Sequence, residues 1–238
     1  MFVGVFVIIA LNQCIFSQEI KKIEDIRKFN QQYFQLLKLK GEKKYEQVIS
    51  GCKKIIELDF TYHDIYPLLA EISKKQNHLT QTIQYLQGLL KREPDNPHFY
   101  YGLGICHKAQ KDFNLAMEAY KRAVDLKSDF LEAYLELVKS PSKEIEATEL
   151  INYFKEKIES NPENSLLYIG LGRIYQYKLK KYDLALKNYL LGLNKTQELG
   201  NKFEQGEHLN EIGLFYYRRG NYSKAMEYYK KAVEVGRE

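Results

Sequence analysis

The chain has 238 residues, 45% of them hydrophobic, a length and composition that suit a sizeable core or an extended array and exclude a disordered chain. Lys and Arg exceed Asp and Glu by 36 to 31, and charges alternate in sign along helical stretches, so the net +5 reads as solvated surface. A nucleic-acid binder concentrates basic charge on one face, whereas the densest runs here, KLKGEKK (38–44) and KLKK (178–181), fall in predicted inter-helix turns, which argues against a nucleic-acid partner.

In chain order, the first seventeen residues, MFVGVFVIIALNQCIFS, hold no charged side chain, and QEIKKIEDIRK follows at once. The apolar run Phe2 to Leu11, polar Asn12 and Gln13, and Ser17 before Gln18 match a signal peptide's h-region and cleavage end, without the Lys or Arg of an n-region. A spanning helix needs about 20 apolar residues, which Asn12 and Gln13 interrupt; a buried helix is the other reading. Residues 1–17 are therefore expected to be a signal peptide, 18–28 a leading helical segment, and the protein exported, periplasmic or in the cell envelope, with extracellular release also open. Cys14 stands where a lipidated cysteine would, but Gln13 before it is bulky where such signals have a small residue.

From residue 29 the chain repeats itself. Tyr66, Tyr100, Tyr134 and Tyr168 are spaced by 34 residues, as are Leu69, Leu103, Leu137 and Leu171, and Ala70, Gly104, Val138 and Gly172. Within a unit, Leu103, Gly104 and His107 follow Tyr100 at i+3, i+4 and i+7, and after a turn Ala116, Tyr120 and Ala123 form a second helical face. Each unit is thus a helix pair that cannot bury its apolar stripes alone and must stack on its neighbours. Units are expected to start near 29, 63, 97, 131, 165 and 206. Cys52 and Cys106, two repeats apart, read as small buried hydrophobes.

The pattern aromatic-x2-Leu-Gly-x2-Tyr, then Ala-x3-aromatic-x2-Ala, resembles the tetratricopeptide repeat. YYGLGICHKAQKDFNLAMEAYKRAVDL is the fullest copy, YIGLGRIYQYKLKKYDLALKNYLLGL carries one extra turn residue and Gly192 for the second small Ala, and EIGLFYYRRGNYSKAMEYYKKAVEV closes the chain. The resemblance implies an all-α, right-handed superhelical solenoid of about six repeats that binds proteins without catalysing a reaction. Unit one is degenerate, with Gln32 at the aromatic position. Unit four departs further: Pro141 should end its first helix near Ser140, and Leu150 and Lys157 stand where small residues let helices approach, so looser packing is expected there.

Gly102-x-Gly104 and Gly170-x-Gly172 mimic a nucleotide loop, but both lie within helical periodicity with no strand before them. Gly104 is read as a helix-packing glycine with Tyr100 as its neighbour. Of the histidines, His107 is read as packed and His63, His78, His98 and His208 as surface or helix-end residues; no HExxH or GxSxG occurs, and no metal or small-molecule cofactor is expected.

The face opposite the packed one should form a concave groove that takes a peptide or protein segment. It carries Tyr33 in unit one, Lys74 in unit two, Tyr101, Ile105 and Lys108 in unit three, Lys139 in unit four, Ile169, Arg173 and Tyr177 in unit five, and Tyr217 with Arg218 in unit six. Aromatics mixed with cations suit a partner with apolar anchors and acidic groups. The Lys and Asn pattern by which some family members grip a C-terminal carboxylate is not reproduced, Pro67 and Glu71 standing in its place in unit two. The last helix shows Met226, Tyr229 and Val233 along a stripe that another helix should cover, so a continuing chain, a partner or self-association is expected there. A sensor input region of a larger membrane signalling protein, such as a histidine kinase, is the alternative function.

Overall fold

The computed structural model describes residues 27–139 and 144–237, and the expected signal peptide, Cys14, Ser140 and Pro141 lie outside them. Helices account for the regular structure among the described residues. In order they are α1 (27–41), α2 (Tyr45–Leu58), α3 (Ile65–Lys75), α4 (Leu79–Arg92), α5 (Pro97–Gln110), α6 (Phe113–Leu126), α7 (Leu131–Lys139), α8 (Glu144–Ser160), α9 (Ser165–Arg173), α10 (Tyr182–Leu199), α11 (Lys202–Arg218) and α12 (Tyr222–Val235). The chain divides into two compact units, one ending at Leu89 and the other beginning at Leu90.

In the first unit, Leu36, Val48, Cys52, Ile56, Ile65, Tyr66, Leu69, Ile72 and Leu86 are buried together as the apolar stripes of their helices. A buried hydrogen bond of 2.7 Å between the Ser73 and Thr82 hydroxyls joins α3 to α4. The second unit stacks α5 with α6, α9 with α10 and α11 with α12 as antiparallel pairs. Asn96 and Asn164 cap α5 and α9, each accepting from the backbone N–H two residues on.

The periodic tyrosines have a shared task. Tyr66, Tyr134 and Tyr168 each donate their hydroxyl to the carbonyl six residues upstream, Phe60 at 2.8 Å, Ser128 at 3.1 Å and Pro162 at 3.3 Å. A buried phenol thereby satisfies a carbonyl in the loop leading into its own helix. Tyr100 departs: it is half-buried, with the Arg122 guanidinium 5.8 Å from its ring centroid.

The packing glycines face aromatic rings of the second helix in their own pair. A Cβ on Gly104 would sit 2.5 Å from Tyr120 Cδ1, on Gly172 2.5 Å from Tyr189 Cε1, and on Gly213 2.6 Å from Tyr229 Cε1. Tyr120 on the second helix is therefore what packs on Gly104, in place of the expected Tyr100. Ala70 and Leu86, both buried, hold the corresponding positions in the first unit. Gly104→Ala is expected to cost about 1–3 kcal/mol through overpacking, and Tyr120→Leu in the same chain to restore most of it. Gly206→Ala, within α11 and with open space around its Cβ position, should instead gain about 0.5–1 kcal/mol. Urea unfolding of the three variants measures both signs; equal losses at Gly104 and Gly206 would refute the ring contact.

Two expectations about unit four and unit five are revised. The first helix of unit four is short, ending among the described residues at Lys139, but the packing behind it is tight: Leu150 and Phe154 are fully buried. The bulk of Phe154 is accommodated by Gly170 of the next pair, where a Cβ would lie 2.5 Å from Phe154 Cζ. In unit five the extra residue is absorbed inside the first helix as a π-helical turn over Ile174–Lys178. That turn brings Gln176 within 2.7 Å of the Tyr189 hydroxyl, which donates to it. The corresponding Tyr120 hydroxyl is buried and has no hydrogen-bond partner among the described residues.

Histidine placement also differs from expectation. His98 is buried against the Phe130 ring at 4.9 Å. His208 is fully buried in the space left by Gly192, where a Cβ would lie 2.7 Å from its Nδ1. The cause is that α11 begins at Lys202, a turn earlier than expected, so His208 faces α10 from within the helix. Cys52 and Cys106 are buried free thiols, each pushed up to about 12 by that burial.

Candidate partner-binding face

The first helices of successive pairs are tied side by side by ion pairs. In the first unit Lys40 of α1 meets Glu71 of α3 at 2.7 Å, with Lys75 at 3.0 Å from the same carboxylate. In the second unit Lys108 of α5 lies 2.5 Å from Glu136 of α7, which Lys139 also meets at 2.9 Å. Arg173 of α9 grips Glu211 of α11 through both oxygens, its Nε at 2.9 Å from Oε2. These contacts require the first-helix faces to lie next to one another, which makes a continuous surface in each unit.

The electrostatics of that surface follow from the pairing. Burial pushes the Glu136 carboxyl up, but hydrogen bonds from Lys108 and Lys139 outweigh it and hold the group below its ordinary value. Burial alone would lower the Arg173 guanidinium; Glu211 reverses that and raises it. Glu207 is raised, by burial first and then by neighbouring Glu211 and Glu132, with Arg173 opposing. The cations of this face are thus largely neutralised by the chain's own glutamates, and a uniformly cationic groove does not form.

The expected contact residues divide into two groups. Tyr101 is 5% exposed, with its ring 5.3 Å from Phe130 and 6.1 Å from Tyr120, and Ile105 and Ile169 are 9% and 1% exposed. They form the floor of the face, because a stacked first helix has neighbours on both flanks and leaves only a narrow stripe open. The reading that Tyr101 points away from packed Tyr100 is therefore corrected: Tyr101 is the more enclosed of the two. Arg173 is committed to Glu211, with the two side chains 13% and 11% exposed. Lys108, Lys139, Tyr177 and Tyr217 remain reachable, Tyr217 being 55% exposed and edge-on to Tyr222 at 5.5 Å. In the first unit Tyr33 is half-buried, edge-on to Tyr62 at 5.8 Å, and Lys74 is exposed.

The residues missed in the sequence are the carboxylates. Glu71, Glu136 and Glu211 each stand on the first helix that follows a cation-bearing first helix, and that alternation was the available signal. No group of His, Cys, Asp and Glu suited to a metal ion occurs among the described residues, and no described helix is long and apolar enough to cross a membrane.

Comparison with known proteins bears on the repeat itself. Family models described as tetratricopeptide repeat match residues 98–130 and 163–238. A stretch of 104 residues is 28% identical to protein O-mannosyl-transferase Tmtc3 of Drosophila melanogaster, covering 44% of this chain and 11% of that protein, so the activity in that name is not carried over. Among solved structures, MamA from Desulfovibrio magneticus RS-1 is similar at 15% identity, 74% of this chain, 95% of that chain and a TM-score of 0.41. YrrB, described as a tetratricopeptide-repeat protein with an unusual peptide-binding site, is similar at 17% identity, 77% and 91% coverage and a TM-score of 0.35. The Cut9 and Hcn1 assembly of the APC/C is similar at 17% identity, 87% and 38% coverage and a TM-score of 0.44. With the period of 34 residues and the glycine-on-tyrosine helix pairs, residues 98–130 and 163–238 are tetratricopeptide repeats.

Proposed function

We propose that this protein is a non-catalytic interaction scaffold that holds a peptide or protein segment along the first-helix face of residues 90–238. The observation that carries the reading is the side-by-side alignment of first helices through Lys108, Glu136, Arg173 and Glu211, which leaves a stripe of reachable side chains above a packed apolar floor. Such a face offers both apolar edges and fixed charges to an extended or helical segment. The uncharged run at residues 2–17 supports export as the setting, and N-terminal sequencing of exported material should begin at Gln18.

The test is a pull-down with the secreted chain. Lys139→Ala with Tyr217→Ala removes two side chains that are more than half exposed, at 53% and 55%, so helical content by circular dichroism should not change. Capture is expected to weaken at least about tenfold, the loss typical of one strong contact residue at an interface. Undiminished capture would refute this face.

A further inference from the structure

The run KLKK (178–181), read from the sequence as an inter-helix turn, meets a second basic turn in the fold. The segment from the end of the π-helical turn to the start of α10 carries Lys178, Lys180, Lys181 and Tyr182, and the segment from the end of α11 to the start of α12 carries Arg218, Arg219 and Tyr222. Cross-contacts join them: the Arg218 guanidinium lies 4.9 Å over the Tyr177 ring, and the Arg219 guanidinium 4.1 Å over the Tyr182 ring. Five cations thus share one edge of the repeat stack, with Asp183 the single acidic residue in stretches 174–183 and 216–223.

We propose that this edge is a docking site for an acidic protein segment, rich in Asp and Glu, adjoining the first-helix face at Tyr177 and Tyr217. Both arginines are exposed, and held over tyrosine rings they are pre-oriented, which lowers the entropy cost of bidentate pairing with carboxylates. The ring arrangement favours protein over nucleic acid: single-stranded nucleic acid gains affinity by stacking bases on aromatic faces, and here the guanidiniums cover those faces. The inference takes from the scaffold reading only that the partner is protein.

Fluorescence anisotropy on the full chain tests it with three labelled probes: a Glu- and Asp-rich peptide without aromatic or aliphatic residues, its Lys-rich counterpart, and an oligo-dT. The acidic peptide alone is expected to bind, with affinity falling as salt rises. Arg218→Gln with Arg219→Gln should weaken it at least about tenfold, the scale of losing charged bidentate hydrogen bonds, while Lys139→Ala leaves it unchanged. Failure of the acidic peptide to bind, tighter binding of oligo-dT, or an unaffected arginine variant would each overturn the assignment. If the pull-down still depends on Lys139 in that event, the scaffold reading stands and only the edge is refuted.

Discussion

Replacing Glu211 with alanine is expected to destabilise residues 90–238 by about 3–5 kcal/mol, the cost of stranding one member of a buried ion pair. For a unit of this size that corresponds to a fall of roughly 10 °C in melting temperature. The reason lies in Arg173, whose side chain is 13% exposed and whose Nε and Nη2 both donate to Glu211. Remove the carboxylate and the guanidinium keeps its desolvation cost without its partner; Tyr177 and Tyr189 beside it cannot replace a charge at neutral pH. Replacing both members, Arg173→Met with Glu211→Leu, should be far milder, near neutral or stabilising, since an apolar pair of similar volume has no charge to strand. Calorimetry on the two variants decides the matter. A single variant that melts with the wild type would mean the pair contributes nothing, and a double variant as damaged as the single would mean the loss was one of packing.

The second expected result is an acid-sensitive step set by His208. Burial lowers its imidazole from 6.5 to about 4, with backbone groups of Tyr189 and Ser165 opposing, so the folded chain holds the ring neutral where the unfolded chain protonates it. Between those values the unfolded state binds more protons, and stability therefore rises with pH. His208's share is fully present above pH 6.5 and is lost as pH falls toward 4, in total about 3 kcal/mol. Carboxylates held below their ordinary 4.5, such as Glu136, lose their share only below that value, so the two windows separate. His107, also lowered by burial, overlaps the His208 window and sets the background. His208→Gln should remove most of the slope between pH 6.5 and 4.5 while lowering stability at neutral pH. An unchanged slope in that variant would assign the acid step elsewhere.

The helix pairs and their spacing were legible because the repeat imposes the same burial on residues 34 apart, and Tyr66, Tyr134 and Tyr168 report it directly. Glycine at positions 104 and 172 was legible as a close approach, but not the ring that approaches, since helical periodicity orders one helix and says nothing of its partner. The binding face was less legible. A helical wheel places Tyr101 and Tyr100 on different sides, yet in a stack both sides of a first helix meet neighbours, and Tyr101 is enclosed by Phe130 and Tyr120. The charges misled for a related reason: cations were counted within one helix, whereas their partners Glu136 and Glu211 stand on the next. His208 was misplaced because its burial depends on the absent side chain of Gly192, a vacancy sixteen residues upstream.

The hydroxyl tethers of Tyr66, Tyr134 and Tyr168 reach back six residues, so each fastens the first helix of one unit to the last loop residues of the unit before it. A segment of 34 residues excised or copied between equivalent tyrosines would carry one such loop together with the tyrosine that fastens it. Unequal recombination at those points would thus yield ends that fit, and the number of units in such a chain could change from one descendant to another without any junction having to be invented.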